Sequence, residues 1–550
     1  METFSVREQK NLAPFFTNLD KPVFGLKLPQ EVAGALFSRY SRSTSDLRRT
    51  FLKEFLGDPD LALKDLLATQ SGTSTDNRAL QKARAFYERV LVGYGDDSVA
   101  QLGGAHVACE EVSNVAAKFL EDARIGIAPL EKSTRYVRFD QKNAQGRYLF
   151  YLEPRIQESP HHQSYMELME LLFDTYAAQI EPMIAHVQQA LPLAETELRN
   201  PRNGEPMTYA EAKKDPKLAS WAESAYRATV RAHACDILRG YLPAATLTNV
   251  GLFGVGQAFE YLVAKFYSSE LAEMQFLGRV IHEELNLLIP SFVKRAQANP
   301  YLSETFAAIR SLAPMVVPES VADAAPVTLV DYDVDAEERI LATILYPHCQ
   351  HPMAQLRQWV AGLSEDQKQA VLETYLGGRR HRRDKPGRAL EQAYYTFDIT
   401  GNLGLYRDLQ RHRILSQERQ DYTTAHGYDT PAEIEEAGFK KEFDRCMERA
   451  AEVYGQIHRD LPLEAQYVVP FAYRIRWYMK LNLREAVHVG ELRTMPQGHP
   501  DYRLITQDMW RQITDVHPRL ARYARFIDWQ TYRLGRLSSE MRTEFKKSSL

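Results

Sequence analysis

Apolar residues recur at three- and four-residue steps over two long stretches of the chain, residues 162–187 and 258–288. This spacing collects them on one face and predicts amphipathic helices. The segment YYTFDIT (394–400) alternates instead and is rich in β-branched and aromatic residues, which predicts a strand. Helices of this length around short strands indicate an α+β fold.

The pattern also indicates where the chain divides. Its 550 residues fit about two to four folding units of usual size. Residues 311–333, SLAPMVVPESVADAAPVTLVDYD, are rich in proline and alanine with little helical periodicity, and they predict a linker. We expect a first domain over residues 1–320, with a mostly helical insertion over 141–235, and a second domain over 325–550.

The two halves repeat the same order of features. LRGYLPAATLTNVGLF (238–253) and AQYVVPFAYRIRWYM (465–479) each place an apolar pair and a proline before an extended aromatic segment. Self-similarity of this kind favours a tandem duplication.

Composition excludes several classes of protein. The chain is 44% hydrophobic and 25% charged, which is typical of a soluble globular protein, and its net charge of −4 gives no overall attraction to nucleic acid or anionic lipid. The four cysteines lie far apart without a CxxC pair, which argues against a disulfide framework and a zinc ribbon. No 18-residue apolar run or apolar leader is present, so we expect a cytoplasmic protein.

Three residues, Arg411, His412 and Arg413, form an RHR run behind an apolar segment. Two permanently charged guanidinium forks and an imidazole suit a phosphorylated ligand such as a dinucleotide. The alternative is an exposed basic helix end that complements the helix dipole.

Two further clusters carry the same kind of chemistry. In EKSTRY (131–136), Glu131, Ser133 and Arg135 alternate, so in an extended loop they point the same way and could bind a phosphate and a base or ribose group. In LNLREAVHVGELR (481–493), residues Asn482, Glu485 and His488 fall near one helix face, with Arg493 beyond them. Each could equally be ordinary polar surface.

Two basic or histidine-rich segments remain. GGRRHRRDKPGR (377–388) predicts a loop whose charge is either solvated or meets a polyanion, although it lacks interleaved aromatic residues that stack on single strands. YPHCQHP (346–352) offers three closely spaced ligands, which seldom form a metal site without a fourth from elsewhere, so no metal is expected.

Taken together, these motifs resemble the flavin-dependent thymidylate synthases, once in each half of the chain. That family carries an RHR signature, then a Glu, a Ser and an Arg-Tyr pair, then an ARxxLP segment, and later an Asn, a His and an Arg on one helix.

By this resemblance, the second half keeps the flavin side of the pattern. The residues implied to bind the cofactor are Arg411, His412, Arg413, Glu391, Asn482 and His488. Arg493 is implied to act in catalysis, and Gln410 to contact the substrate. Pro386 and Arg388 replace the His and Ser of the family's GHxS turn, RQDYTT (419–424) replaces the Ser and Arg-Tyr, and Gln466 replaces the ARxxLP arginine.

The first half keeps the complementary set. Ser133, Arg135 and Arg239 match substrate-binding positions, and Glu131 is implied to take part in catalysis. Ser98 matches the serine of the GHxS turn, with Asp96 in place of its histidine. The RHR counterpart is reduced to Asp122, Ala123 and Arg124, and only Lys265 lies near the last arginine.

The resemblance implies an FAD-dependent enzyme that methylates dUMP reductively to dTMP, with methylenetetrahydrofolate and NADPH as co-substrates. It implies composite sites, and a homodimer of the tandem chain that stands in for a tetramer of single-copy subunits. Two alternatives stay open: a non-catalytic or divergent relative that binds flavin or another nucleotide, and a nucleic-acid binder that uses residues 377–388.

Overall fold

The computed structural model describes residues 4–28, 30–40, 43–53, 100–123, 125–318 and 324–548. Nine strands are described: β1 (Gly104–Ser113), β2 (Ile127–Glu131), β3 (Leu198–Arg199), β4 (Pro206–Met207), β5 (Leu247–Val255), β6 (Val327–Tyr332), β7 (Tyr394–Asn402), β8 (Ser416–Arg419) and β9 (Arg474–Asn482). The helices up to residue 320 are α1 (Val6–Leu12), α2 (Gln30–Tyr40), α3 (Leu47–Phe51), α4 (Asn114–Glu121), α5 (Pro154–Gln157), α6 (His162–Ala190), α7 (Tyr209–Ala212), α8 (Pro216–Leu238), α9 (Gly256–Tyr267), α10 (Ala272–Leu288), α11 (Pro290–Val293) and α12 (Pro300–Val316). The later helices are α13 (Ala336–Leu345), α14 (Met353–Ala361), α15 (Glu365–Leu376), α16 (Leu403–Leu409), α17 (Ala432–Glu436), α18 (Lys440–Asp460), α19 (Leu483–Arg493), α20 (Pro500–Val516), α21 (Pro518–Ala521) and α22 (Leu537–Lys547).

These elements confirm the α+β class and the helices predicted over 162–187 and 258–288, the second of which is interrupted between α9 and α10. The linker predicted over 311–333 was wrong at both ends. Helix α12 continues to Val316, with Pro300 in its first turn and the Asn299 side chain accepting from the Tyr301 N–H, and β6 begins at Val327. The helix continues through Pro314 of the predicted linker, whose alanines suit a helix.

The described part of the chain folds into two compact units that do not follow its sequence halves. Unit 1 comprises Met1–Glu110, Ala123–Glu131 and Asn249–Glu319. Unit 2 comprises Glu111–Asp122, Lys132–Thr248 and Ser320–Leu550. The predicted domain boundaries, 1–320 and 325–550, refer to the repeat in the sequence and stay a prediction.

Unit 1 contains most of a three-stranded sheet in the order β1-β5-β2. Strand β2 runs antiparallel to β5, with Ile127 opposite Gly254. Helices α9 and α10 pack on each other through buried residues such as Phe266 and Met274.

Unit 2 contains a four-stranded antiparallel sheet in the order β6-β7-β9-β8. Tyr395, Phe397 and Ile399 alternate inward along β7 and are fully buried, so the strand predicted from YYTFDIT is confirmed and extends to Asn402. In the first sheet β5, the last of its three strands in the sequence, lies between β1 and β2. In the second sheet β9 likewise lies between β7 and β8. The two sheets therefore share one topology, and β6 is an addition to the second.

A strand that passes directly into a helix occurs at matching points of this topology. The side chain of Ser113 caps α4, that of Asn402 caps α16 and that of Asn482 caps α19, each accepting from a backbone N–H of the first turn. Such caps satisfy the donors exposed at a helix start, and they fix the point where extended chain becomes helical. The two strand-to-helix junctions of the second half carry the polar residues considered below.

Within unit 2, the two repeated proline segments pair with one another. The N–H of Ala244 donates to the carbonyl of Val469, and the N–H of Phe471 donates to the carbonyl of Leu242, both at 2.9 Å. Pro243 lies opposite Pro470. Because equivalent residues exchange equivalent hydrogen bonds, the two segments are related as in an isologous two-fold contact.

The helical insertion also belongs to unit 2. Helix α6 packs against α8 and against α18 of the second half, with Tyr165, Phe173 and Tyr176 fully buried. Among the described residues, no helix is long and apolar enough to cross a bilayer.

Candidate functional site

A largely buried aspartate of unit 2, Asp408, lies among guanidinium groups from both halves of the sequence. Its Oδ2 is 3.7 Å from Nη1 of Arg239, and its Oδ1 is 4.0 Å from Nη1 of Arg493. Burial alone would raise the pKa of the Asp408 carboxyl, but Arg135, Arg239, Arg493 and Arg411 together lower it. The attraction of these guanidinium groups thus keeps the Asp408 carboxylate ionised.

Arg135 is held by another carboxylate, that of the buried Asp236. Its Nε and Nη2 donate to the two oxygens of Asp236 at 2.9 and 3.0 Å, and Nη2 of Arg536 donates to the same carboxylate at 2.8 Å. Burial raises the pKa of Asp236, but the two arginines outweigh it and the pKa is lowered. The ring of Tyr502 lies beside both Arg135 and Arg493.

Arg239 directly follows α8 and is only 4% exposed. Its Nη2 has no hydrogen-bond partner among the described residues. Burial lowers the pKa of this guanidinium, and the carboxylates Asp236 and Asp408 oppose that effect. A buried donor without a partner is costly, so this nitrogen is a natural contact for a ligand.

His412 connects Arg493 to a carboxylate. The Nε–H of Arg493 donates to Nε2 of His412 at 2.8 Å, and Nδ1 of His412 is 3.1 Å from Oε1 of Glu485. Because a guanidinium only donates, Nε2 carries the lone pair, and Nδ1 carries the proton that it donates to Glu485. Burial, followed by Arg493 and Lys385, lowers the pKa of His412 well below its usual value, so the imidazole is neutral at pH 7.

A second imidazole lies beside the first. The ring of His488 is 5.6 Å from that of His412, and Nζ of Lys385 donates to its Nδ1 at 3.0 Å. Burial, above all, lowers the pKa of His488 to about 4.

Ligand atoms of His412, Glu485 and His488 lie within 4.8 Å of one another, a spacing that a metal ion could bridge. The hydrogen bond from Arg493 places the proton of His412 on Nδ1, and Lys385 already donates to His488, so two fixed cations disfavour an added one.

The other residues expected from the second half lie around these imidazoles. Arg411 and Arg413 are exposed on the turn after α16. Asn482 is buried, and its Oδ1 accepts from the Glu485 N–H at 3.0 Å, so only its amide nitrogen remains for a ligand. Glu391 is half-buried and pairs with Arg484 at 2.9 Å and with Arg388, as a structural ion-pair group would.

Gln410 does not join the arginines around Asp408, which are called the Asp408 cluster below. It is buried and donates to the Lys118 carbonyl at 2.9 Å and to the Asp122 carboxylate. At the position that repeats Arg239, Gln466 accepts from the Tyr422 N–H at 3.1 Å. Hydrogen bonds within the protein therefore engage both residues.

The EKSTRY segment does not keep the extended geometry predicted for it. The Ser133 carbonyl accepts from the Val137 N–H in a turn, and the Ser133 hydroxyl accepts from the Arg135 N–H at 3.2 Å. The expected alternation was wrong because local turn hydrogen bonds compete with extended chain. Glu131 ends β2 in unit 1, whereas Ser133 and Arg135 belong to unit 2.

Three positions expected from the first half, Asp96, Ser98 and Arg124, lie outside the described residues. Lys265 lies in the last turn of α9 in unit 1.

Four residues of the cluster were not anticipated: Asp236, Asp408, Tyr502 and Arg536. A sequence signal exists for two of them. Asp408 precedes Arg411 by three residues, and Asp236 precedes Arg239 by three residues, which is about one helical turn. The position of Tyr502 and Arg536 depends on tertiary packing alone.

The basic segment 377–388 forms the predicted loop, but its charges have different environments. Arg379 is buried and binds both oxygens of Glu491, at 2.9 and 2.6 Å, and the Tyr523 carbonyl. Among the described residues, Arg380, Arg382 and Arg383 have no carboxylate within ion-pair distance. Lys385 belongs to the imidazole pair. Arg379 is thus unavailable to an external polyanion.

The model of the family described as "Thymidylate synthase complementing protein" matches the chain twice, over residues 62–259 and 328–519. The chain belongs to this family. The two matches agree with the shared topology of the two sheets and confirm the resemblance in both halves.

A UPF0159 protein of Chlamydia pneumoniae is 40% identical to this chain over 99% of it and 98% of that protein. A flavin-dependent thymidylate synthase of Sulfurisphaera tokodaii is 31% identical over 24% of this chain and 55% of that protein. The structure of a UMP/dUMP methylase of Streptomyces cacaoi bound with 5-Br dUMP is 16% identical, covers 36% of this chain and 93% of its own, and has a TM-score of 0.29.

Proposed function

We propose that the chain is a flavin-dependent nucleotide methyltransferase with a composite site built from both copies of the family fold. The reaction we infer is reductive methylation of dUMP to dTMP, with methylenetetrahydrofolate and NADPH as co-substrates. The observation that carries the proposal is the Asp408 cluster: Arg135 and Arg239 from the first copy and Arg493 from the second meet within one compact unit.

The cluster suits a nucleotide because its charge is only partly balanced. Arg135, Arg239 and Arg493 lie around Asp408, and Asp236 is shared between Arg135 and Arg536, so four guanidinium groups meet two carboxylates here. Charge-assisted hydrogen bonds to phosphate or to a ring carbonyl each contribute roughly 1.5–3 kcal/mol. Ser133, next to Arg135, is the neutral donor expected at the same ligand.

The residues around the two imidazoles fit an anionic dinucleotide. Arg411, Arg413 and Lys385 carry exposed positive charge beside neutral His412 and His488, and the amide nitrogen of Asn482 adds a donor. When bound, reduced FAD supplies the hydride. His412 holds Arg493 by a hydrogen bond, so that its guanidinium can stabilise charge that develops on the pyrimidine ring.

The test is the absorption spectrum of the purified protein and chromatography of the cofactor released on denaturation. We expect bound FAD that is lost in Arg411→Ala and Asn482→Ala and retained in Arg445→Ala, an exposed arginine on α18. Turnover of dUMP would then be measured with methylenetetrahydrofolate and NADPH. A colourless protein that also fails to take up added FAD would refute the proposal.

The second candidate is a nucleotide-binding relative without catalysis. Asp408 and Asp236 favour it, because these carboxylates already engage the arginines that a phosphate would need. Binding of FAD and dUMP without any product would support this alternative over the enzyme.

A further inference from the structure

A cavity of about 630 Å³ lies in unit 1, within the N-terminal segment that precedes the first family match at residue 62. It is called the N-terminal cavity below. Its volume falls inside the range of ligand pockets, roughly 300–1,000 Å³. The apolar part of its wall includes Phe4, Phe24, Leu26, Phe37, Tyr40 and Leu47.

An antiparallel turn over residues 15–27 carries one side of this wall. The N–H of Lys27 donates to the carbonyl of Phe15 at 2.7 Å. The rings of Phe15 and Phe16 both pack on the ring of Phe51 in α3. The turn and α3 are therefore fixed to one another by aromatic packing.

The opposite side of the wall comes from α2 and presents two rings. Phe37 and Tyr40 lie about one helical turn apart, so their side chains share a face of the helix. Both side chains are exposed, whereas Leu47 on the wall is buried. The N-terminal cavity thus extends from an aromatic rim at the surface to a buried floor.

Arg48 is the charged group of that floor and is only 5% exposed. Its Nη2 donates to the carbonyl of Lys21 at 2.8 Å, and its guanidinium carbon lies 3.6 Å from the centre of the Phe24 ring. Its Nε has no hydrogen-bond partner. In the described part of the chain, no carboxylate lies within ion-pair distance of this guanidinium.

Two carboxylates act on Arg48 from farther away and leave its charge without a partner. Burial lowers the pKa of the guanidinium, and Asp46 and Asp20 oppose that effect without overcoming it. The side chain of Asp46 already accepts from the Arg49 N–H at 2.8 Å as the cap of α3. A buried charge is costly unless it is paired, so an anion in the N-terminal cavity would be stabilised.

We propose that the N-terminal cavity binds an aromatic carboxylate, whose carboxylate group accepts from the guanidinium of Arg48 and whose ring packs on Phe37 and Tyr40. A ring suits this wall because aromatic side chains form favourable stacked and edge-to-face contacts with one another. A single guanidinium matches one carboxylate better than a polyphosphate. The Asp408 cluster belongs to unit 2, so the inference is independent of the proposed function.

The experiment is equilibrium dialysis and ligand-detected NMR on the full-length protein. The probes are 2-naphthoate, the uncharged 2-naphthamide, and octanoate, which keeps the charge but has no ring. The variants are Arg48→Met, which removes the charge and keeps an unbranched side chain, and Tyr40→Ala, which removes a ring of the rim. The matched controls are Arg279→Met, an exposed arginine that also lies over a phenylalanine ring, and Tyr301→Ala, an exposed tyrosine of α12.

We expect 2-naphthoate to bind the parent protein, and to bind Arg48→Met about ten- to a hundredfold more weakly because a charge-assisted hydrogen bond is lost. Loss of a ring contact should weaken its binding to Tyr40→Ala by about threefold. Both control variants should bind 2-naphthoate as the parent protein does. The parent protein should bind 2-naphthamide and octanoate more weakly than 2-naphthoate.

Four results would overturn the proposal: no binding of 2-naphthoate to the parent protein, equal binding of 2-naphthamide or octanoate, unchanged binding to Arg48→Met, and displacement of 2-naphthoate by dUMP. The last result would place the probe at the Asp408 cluster instead. Thermal unfolding checks that each variant folds. If Arg48→Met does not fold, the comparison of the three probes and the binding to Tyr40→Ala decide.

Discussion

Arg493 donates from Nε to Nε2 of His412 across 2.8 Å, and this contact fixes the tautomer of the imidazole. The proton must lie on Nδ1, which faces Glu485 at 3.1 Å. A carboxylate, an imidazole and a guanidinium thus form a directed chain in which each group orients the next, as carboxylates orient catalytic imidazoles elsewhere.

Removal of Glu485 should loosen this chain. In Glu485→Ala the imidazole can protonate either nitrogen, and the tautomer with Nε2–H cannot accept from Arg493. We expect turnover to fall about ten- to a hundredfold, the equivalent of roughly 1.5–3 kcal/mol for a hydrogen bond to a charged group. Steady-state kinetics with dUMP would measure the loss.

Glu485→Gln serves as the rescue variant, because its amide oxygen still accepts from Nδ1–H. It should recover most of the activity. Glu448→Ala, an exposed glutamate of α18, is the control for an ordinary charge deletion. If Glu485→Ala is fully active, Glu485 does not position His412.

The two imidazoles predict a stability that depends on pH. The pKa of His488 is lowered to about 4 and that of His412 is lowered well below 6.5, mainly by burial in each case. Below pH 6.5 these two imidazoles therefore bind protons in the unfolded chain but not in the folded chain. This part of the stability is present above pH 6.5 and is lost as pH falls toward 4.

Urea unfolding at pH 7, 6 and 5 would measure the effect. His488→Gln should lessen the decline in the free energy of unfolding, while His348→Gln, an exposed histidine, should leave it as in the parent protein. An unchanged slope in His488→Gln would mean that this imidazole is protonated in the folded state.

Asp408 should set both the stability and the anion affinity of the arginine cluster. Asp408→Asn removes the carboxylate nearest to the buried Arg239 guanidinium and to Arg493, so the free energy of unfolding should fall by about 3 kcal/mol. The same excess charge should attract anions, and sulfate should therefore raise the Tm of the variant more than that of the parent protein. Equal shifts would show that Asp408 does not control access of anions to the cluster.

The arginines of the basic segment 377–388 differ in role: one forms a buried ion pair, and the others do not. Arg379→Ala breaks a buried ion pair with Glu491 and should cost about 3–5 kcal/mol of stability. The triple substitution of Arg380, Arg382 and Arg383 by alanine should be close to neutral. Salt-dependent binding to DNA or RNA that disappears in the triple variant would instead support the nucleic-acid alternative.

Much of the fold was predictable because it depends on local pattern. Alternation along Tyr394–Thr400 and the helical period from His162 specified a strand and a helix directly. The linker prediction failed at its start because Pro314 was taken as a helix breaker, whereas helix α12 continues past it to Val316. The composition of units 1 and 2 depends on pairings between distant segments, which local pattern does not encode.

The candidate site was predictable only for residues with distinctive side chains. Arg135, Arg239, His412 and Arg493 stood out by type and order, and the structure brings them together. Asp408 and Asp236 were missed because a carboxylate inside an amphipathic helix looks like ordinary surface until the opposing arginines are known. Glu131 was grouped with Ser133 by spacing, but the chain passes from unit 1 to unit 2 between them.

Substitutions of Asn482 can separate FAD binding from stability, because the oxygen and the nitrogen of its side-chain amide make different contacts. Oδ1 caps α19, whereas the amide nitrogen is the donor proposed for the flavin. Asn482→Asp keeps the capping oxygen and loses the donor, so we expect unchanged stability and roughly tenfold weaker FAD binding. Asn482→Ala loses both and should also cost about 0.5–2 kcal/mol of stability. Fluorescence titration with FAD and urea unfolding would measure the two effects independently. Equal FAD affinity in the Asp variant and the parent protein would restrict Asn482 to its capping role and move the flavin contact to His488 and the arginines around it.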